Sequence, residues 1–488
     1  MKGLFTPPVA STLLEAMRAI GYSFESAIAD LADNSIAAGC SAVDVTFSPF
    51  DEPFVALTDD GRGMSRAELI EAMRHGSRSP LVTRDLRDLG RFGLGLKTAS
   101  LSQCRRLTVV SKQGNAICGA EWDLDEVART NDWSLLELEP VDIPLVPAIA
   151  SLRSRRSGTL VVWRSLDRAL AGESDHVRAL QSHIDRTRGH LALVFHRFAE
   201  GSAPQLRLTI NGMAVVPLDP FLRSRKGRQT LPTETVVVGG QRVTVEAYIL
   251  PHLSKLTQAE IAHAGGEDGL RRNQGFYVYR NLRLIAWGTW FRLAKQEEMT
   301  KLARVIVDIP NTLDHLWSLD IKKSSAHPPE QVRQALRQIV DRIADRSRRV
   351  YSYRGTTSLD QGIVPGWNRF ELRGGRFQYK LNRDHDLFGA LRIAIPESSA
   401  PLLERFAQMA EESFPYDAAY ADMASEKQPA FDDSGEQIED RLKDMAARLL
   451  DALSDLPEAR KATLGRLPTL EPFCRHPDIA HKIKESLK

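Results

Sequence analysis

The sequence is short of the features that would place it outside ordinary globular proteins. Only four of its 488 residues are cysteine (Cys40, Cys104, Cys118 and Cys474), and none are in CxxC spacing. They imply no disulfide framework and read as buried small hydrophobes of a reducing cytoplasm. No apolar run approaches the roughly 20 residues that cross a bilayer. The start, Met1-Lys-Gly-Leu-Phe-Thr-Pro-Pro, lacks a signal-peptide core. A cytoplasmic location with no membrane partner is therefore expected. Charge of one sign is also lacking: 65 basic against 63 acidic side chains leave a net +2, which neither demands nor excludes nucleic acid. What is present is 42% hydrophobic and 26% charged residues, the balance of a globular protein. The length suits roughly two to four domains with filled cores.

Three polar signals follow one another between residues 30 and 97. Residues 10–20 have helical spacing, with Leu13, Leu14, Met17 and Ile20 on one stripe, and a second helix is expected from 23 to 38. Gly39 stops it by adopting the left-handed conformation. Within it Asp30 and Asn34 share a face, while Ile28, Leu31 and Ile36 pack inward. Alone, such a pair reads as a solvated helix face. Strands at Val43–Phe47 and Phe54–Leu57 lead into Asp59-Asp60-Gly61-Arg62-Gly63-Met64, which alone is a tight turn. Residues 75–90 form a polar stretch without apolar periodicity, either a surface loop or a functional one. Gly90-x-x-Gly93-x-Gly95-x-Lys97 follows. It could mimic a dinucleotide fingerprint, but no apolar strand leads directly into it and no acidic ribose partner follows.

The order and spacing of these signals resemble the nucleotide pocket of the GHKL ATPases. That superfamily includes DNA gyrase B, MutL, the large heat-shock chaperones, histidine kinases and MORC proteins. The resemblance covers roughly residues 8–350 and is closest to prokaryotic MORC-like proteins. It implies ATP and Mg²⁺ as ligands. Asn34 becomes the Mg²⁺ ligand, and Asp30 takes the place of the family's water-activating glutamate. Aspartate is one methylene shorter, a deficit of roughly 1–1.5 Å, and a general base must reach its proton directly or through one water. Slow hydrolysis is expected, with binding without hydrolysis as the competitor. Ala37 stands where many relatives have aspartate.

Further residues follow from the same resemblance. Asp59 accepts from the adenine amino group, the donor that a buried carboxylate needs; Asp60 is the exposed alternative. Gly61 and Gly63 let backbone approach the nucleotide closely, and Met64 belongs to the nucleotide-binding set. Residues 75–90 become a lid. Gly90, Gly93, Gly95, Leu96, Lys97 and Thr98 cradle the phosphates, with Lys97 adding a point charge. Thr159, in the strand Gly158–Trp163, supports adenine and its aspartate. Lys323, with Lys322 as the alternative, reaches the γ-phosphate from a later domain. Arg62, Arg78 and Arg91 receive no assignment.

The expected fold is α+β. A Bergerat-type ATPase sandwich, a mixed sheet with helices on one face, occupies 1–200. An S5-like transducer domain follows over 201–350, opening with Leu206–Gly212. Its strands are expected at Glu234–Val238, Val243–Leu250, Gly275–Ile285 and Arg304–Ile309, with a helix from Pro329 to Val350. A mostly helical tail fills 351–488, with a Gly-Gly hairpin at 367–382, helices at 400–415 and 436–454, and a loop near 424–437. Arg383-Asp384-His385-Asp386 reads as surface rather than a metal site, and Cys474, His476 and His481 lack zinc spacing. The function implied is an ATP-gated clamp that forms a homodimer on ATP binding and is DNA-associated through Arg271, Arg272, Arg280, Arg283 and Arg292, in restriction or phage defence among other settings. The alternative is a chaperone-like or regulatory switch that engages a protein partner through the tail. No phospho-acceptor helix precedes the pocket, so a histidine kinase is discounted.

Overall fold

The computed structural model describes residues 8–19, 21–76, 95–200, 205–225, 227–251, 255–266, 269–297, 300–313, 317–319, 326–352, 364–372, 376–424 and 435–487. It divides into two compact units, 1–343 and 344–488. The first begins with α1 (Ala10–Arg18), α2 (Phe24–Ala37), β1 (Ala42–Ser48) and β2 (Phe54–Asp59). Then come α3 (Arg66–Met73), α4 (Gly95–Leu101), β3 (Arg106–Gln113), β4 (Ala116–Asp123), α5 (Leu124–Thr130) and β5 (Leu136–Glu137). The series continues through α6 (Ile149–Arg153), β6 (Ser157–Arg164), α7 (His176–Val194), α8 (His196–Ala199), β7 (Arg207–Ile210) and β8 (Met213–Ala214). Among the described residues these strands make one mixed sheet, β5-β4-β3-β6-β2-β1-β7-β8. Every pair is antiparallel except β1–β7. This corrects the expected boundary at 201: Arg207–Ile210 pairs with Ala42–Val45 and extends the first sheet.

Strand alternation decides which side chains meet which layer. Val55, Leu57, Val109, Val161 and Trp163 join the main core with α2, α4 and α7. Ala56, Val110, Leu160 and Val162 point to the opposite face, where Ile143, Val146, Ile149 and Leu152 cover them. Helix α2 is the centre of the main core. Ser23 caps it by accepting from the Ser26 N–H at 3.3 Å, and Gly39 follows at φ +77°. Ala27, Ile28, Ala29, Leu31 and Ala32 are all buried along it, so apolar residues surround most of its circumference, as expected for an interior helix. Burying Ile28 and Leu31 contributes about 1.5–3 kcal/mol each.

A second sheet follows within the same unit. It is built from β9 (Gln229–Thr230), β10 (Glu234–Val238) and β11 (Gln241–Ile249), then, after α9 (Gln258–Gly265) and α10 (Gly269–Arg272), β12 (Gly275–Arg280), β13 (Arg283–Thr289) and β14 (Ala303–Ile309). The order is β10-β11-β14-β12-β13, with β9 beside β11. The run from Gly275 to Ile285, expected as one strand, turns at Asn281 and Leu282, whose φ angles are +48° and +67°. Two consecutive positive values give the turn twist that a tight hairpin favours. Arg280 and Arg283 are only 5% and 4% exposed, so neither belongs to the expected DNA-facing set; Arg271, Arg272 and Arg292 are exposed. Beyond β14 lie β15 (Ser318–Leu319), β16 (Ala326–His327) and α11 (Glu330–Ser352).

The second unit contains the hairpin β17 (Trp367–Leu372) and β18 (Arg376–Leu381), then α12 (Asp386–Ala394), α13 (Ala400–Glu412), α14 (Tyr416–Ala424), α15 (Gly435–Asp451), α16 (Pro457–Arg466) and α17 (Pro477–Ser486). Leu442, Ala446, Leu449, Leu467, Leu470, Phe473 and Ile483 form its core. The surface reading of His385 is corrected. It is 5% exposed, and its Nδ1 accepts from the Leu387 N–H at 3.2 Å, capping α12. Asp386 is tied to Thr463 and Arg466. Three of the cysteines are half-buried, and only Cys104 is fully buried. No helix of the described residues is long and apolar enough to cross a membrane.

Three strands of the first sheet are cross-linked by Glu121. Its carboxylate accepts from Arg106 Nη2 at 2.8 Å, from the Thr108 hydroxyl and from Arg164. Burial raises its pKa, but Thr108, Arg164 and Arg106 outweigh it and leave the group below the ordinary glutamate value. The stabilisation is therefore present above that ordinary value and is lost as pH falls through the lower folded value. Glu121→Ala is expected to cost about 3 kcal/mol in urea unfolding at neutral pH and to flatten the acid limb of the stability curve.

Candidate functional site

Asp59, the last residue of β2, is 3% exposed. Its Oδ1 accepts from the Gly61 N–H at 2.9 Å and the Thr159 N–H at 3.1 Å, and its Oδ2 accepts from the Ser35 hydroxyl at 2.8 Å. Burial holds its pKa above the usual carboxylate value against the pull of those three donors. A carboxylate offers about four acceptor sites, so one remains, on Oδ2, for a further donor. Asp60 differs. Both its oxygens take the Ser41 hydroxyl and the Ser41 and Ala42 N–H groups at the start of β1. Burial raises its pKa, but those donors bring it below the ordinary value.

The glycines of this corner are required by close backbone approach. A Cβ on Gly63 (φ +71°) would sit 2.0 Å from the Lys112 carbonyl oxygen, and one on Gly158 (φ +148°) would sit 2.0 Å from that of Asp59. Gly63 is thus needed by β3, a reason separate from any nucleotide. A Cβ on Gly61 would crowd Ala38 and Asp59 at 3.0 Å. The half-buried Met64 gives its N–H to Ser111 Oγ at 2.8 Å. Ser111 Oγ in turn lies 3.1 Å from Thr159 Oγ1. Thr159 therefore supports Asp59 by its backbone N–H, while its hydroxyl faces Ser111.

In the middle of α2, Asp30 is 5% exposed. The Tyr22 hydroxyl donates to its Oδ2 at 3.1 Å, and the Tyr22 carbonyl is held by Gln103 Nε2 at 3.1 Å. Gly95 opens α4 beside it, so close that a Cβ there would stand 3.7 Å from Asp30 Oδ2. Asn34 is exposed one turn further along α2. An amide oxygen on an open face suits a hard cation that keeps most of its shell in water and phosphate, so the residues present fit Mg²⁺. Lys97 has a protein partner. It is buried and donates to the Ala72 carbonyl at 2.7 Å, binding α4 to the end of α3 rather than standing free for a phosphate. Burial lowers its pKa to about 8. His75, against Trp122 and Trp133, is held at about 4 by burial and Lys97. Leu96 is half-buried and Thr98 buried in α4. Gly90, Gly93, Arg78, Arg91, most of the expected lid, Lys322 and Lys323 lie outside the described residues.

Residues 22–159 match the family described as histidine kinase-, DNA gyrase B- and HSP90-like ATPases. The chain carries a GHKL ATPase domain. Its relatives include the DNA mismatch repair protein MutL of Rhodospirillum rubrum, 35% identical over 100 residues, 20% of this chain and 16% of that protein. MutL of Agrobacterium fabrum is 26% identical over 171 residues, 33% of this chain and 28% of that one. ATPase morc-1 of Caenorhabditis elegans is 34% identical over 181 residues, 30% and 21% of the two chains. Each match therefore spans less than a third of the relative's length.

In this GHKL domain, sequence reasoning missed Tyr22, Ser35 and Ser111. Ser111 carried a faint signal, a polar residue on an apolar strand, paired in register with Thr159. Away from the site, His196, Glu200 and Asp219 form a cluster of metal-ligand chemistry among the described residues. Its nitrogens already face Glu200 and, at 2.6 Å, the Tyr279 hydroxyl, and Arg223 pairs with both carboxylates. It reads as a structural link.

Two outcomes follow for the site. Asp59→Asn should weaken ATP binding by about a hundredfold or more, through a lost charge-assisted hydrogen bond. The wild-type affinity should fall as pH drops through the raised Asp59 pKa, whereas the variant should not show that limb; titration calorimetry across pH measures both. Tyr22→Phe should lower kcat about tenfold, the worth of one hydrogen bond to a charged group, while leaving ATP affinity unchanged in the same assay.

Proposed function

We propose that this protein binds ATP with Mg²⁺, hydrolyses it slowly, and uses the cycle to close and open a homodimeric clamp on DNA. The observation that carries this reading is that one helix, α2, bears on both carboxylates assigned to the nucleotide. Through Ser35, α2 holds Asp59, with one acceptor site left for the adenine amino group. It also presents Asp30 beside Gly95. Asn34 would hold Mg²⁺, which supplies charge neutralisation to the phosphates when bound. Asp30 would take the proton of the attacking water, with Tyr22 fixing its carboxylate. The shorter aspartate reaches that water less well than a glutamate, hence slow turnover. Lys323, or Lys322, remains our candidate for the γ-phosphate contact from the second sheet's part of the chain.

DNA association is supported by the MutL and MORC likeness and by the exposed Arg271, Arg272 and Arg292. A DNA transaction, defence against foreign DNA included, is the setting we propose. The test is ATP turnover and binding by wild type, Asp30→Asn, Asp30→Glu and Asn34→Ala, with mass measurement in a non-hydrolysable analogue. Wild type should turn over slowly, Asp30→Asn should bind without turnover, Asp30→Glu should be faster, and the analogue should give dimers. DNA affinity should drop steeply between low and moderate salt. Absence of ATP binding by wild type and Asp30→Glu would sink the reading.

One observation favours a second use, a nucleotide switch that engages a protein partner through the tail. Leu402, Phe406 and Met409 form one stripe on α13 and are 73%, 61% and 55% exposed, more apolar surface than an idle helix face needs.

A further inference from the structure

The geometry points to Arg283 as a positioning residue of the ATP site, acting on α2 from the second sheet through Asp33. This inference rests on the ATPase reading and adds to it a group outside the matched segment. Asp33 lies between Asp30 and Asn34 in sequence and is 1% exposed. Arg283 Nε donates to its two carboxylate oxygens at 3.1 and 3.3 Å. The two side chains are 2% and 5% exposed, so the pair is shielded from water and salt in a way that surface pairs are not.

The arginine is itself held at several points. It opens β13 directly after the turn at Asn281 and Leu282, in register with Arg280 of β12. Its Nη1 donates to the Leu284 carbonyl, and its guanidinium lies 5.4 Å from the Phe195 ring centroid. A planar, always-charged donor fixed in this way sets direction as well as charge. On a helix of 3.6 residues per turn, Asp33 flanks the face shared by Asp30 and Asn34, so the pull from β13 fixes the rotation and tilt at which that face meets the pocket. Other polar ties join the first sheet's part to the second, notably Arg197–Asp308 at 2.6 Å and His196–Tyr279. They act on α8, and their arginine is more exposed; Arg283 acts on the helix that carries the chemistry.

Misplacing a catalytic group by about 1 Å can cost around a hundredfold in rate while leaving binding largely intact. The experiment uses the full chain as wild type, Arg283→Lys, Arg283→Gln, Asp33→Asn and the double variant Asp33→Asn/Arg283→Gln. Readouts are ATP affinity, kcat, thermal midpoint and amide hydrogen exchange. Arg283→Gln should lose tenfold or more in kcat with ATP affinity within about threefold, and Arg283→Lys should fall between it and wild type. The double variant leaves no orphaned buried charge, so it remains testable if a single variant misfolds; it should be no slower than the slower single, because the pair acts as a unit. Faster exchange should be confined to α2 and the β12–β13 hairpin.

Unchanged kcat in a folded double variant would overturn the inference and leave the ATPase reading intact. So would affinity and turnover falling together with exchange faster throughout the unit, the signature of a merely structural pair. Failure of wild type to bind ATP would instead remove the ATPase reading itself.

Discussion

The interior placement of α2 is the constraint on which the rest depends. A helix packed on most sides by sheet and helices cannot afford unmatched polar groups, yet α2 carries Asp30, Asp33 and Ser35 in buried positions. Each is matched by a different part of the chain. Tyr22 serves Asp30 from the segment before the helix, Arg283 serves Asp33 from the second sheet, and Asp59 takes Ser35 from β2. Asn34 is left exposed. The polar demands of a single buried helix thus specify where three other elements must lie.

That arrangement explains which parts were legible in the sequence. α2 itself, the strands at 42–48, 54–59 and 157–164 and the glycine turn were readable, because cap, period and turn chemistry act over a few residues. Asp59 stood out through the resemblance alone, since local chemistry at that position reads as a tight turn. What could not be read were the partners. Tyr22 and Ser111 are unremarkable residues until folding brings them to Asp30 and Thr159.

The misreadings share this cause. Arg280 and Arg283 looked like a basic surface because charge normally means solvent; burial beside a carboxylate is a tertiary fact. Lys97, assigned to the phosphates by the resemblance, gives its ammonium to the carbonyl near the end of α3, a partner that the glycine pattern does not reveal. His385 looked exposed because it lies between two acids, whereas its ring caps a helix. The hairpin at 281–282 was read as a single strand because Asn-Leu carries no glycine to signal its two positive φ values.

The parallel pairing of β7 with β1 has a bearing on where the first module ends. The chain leaves the sheet after β6, passes through α7 and α8, and returns to cover the outer edge of β1 with β7 and β8. The module is therefore closed by a segment that looks, along the chain, like the beginning of its neighbour. A fragment cut at residue 200 would carry Val43 and Val45 on an unpaired strand edge, the kind of surface that recruits other chains. The first sheet runs on to Ala214.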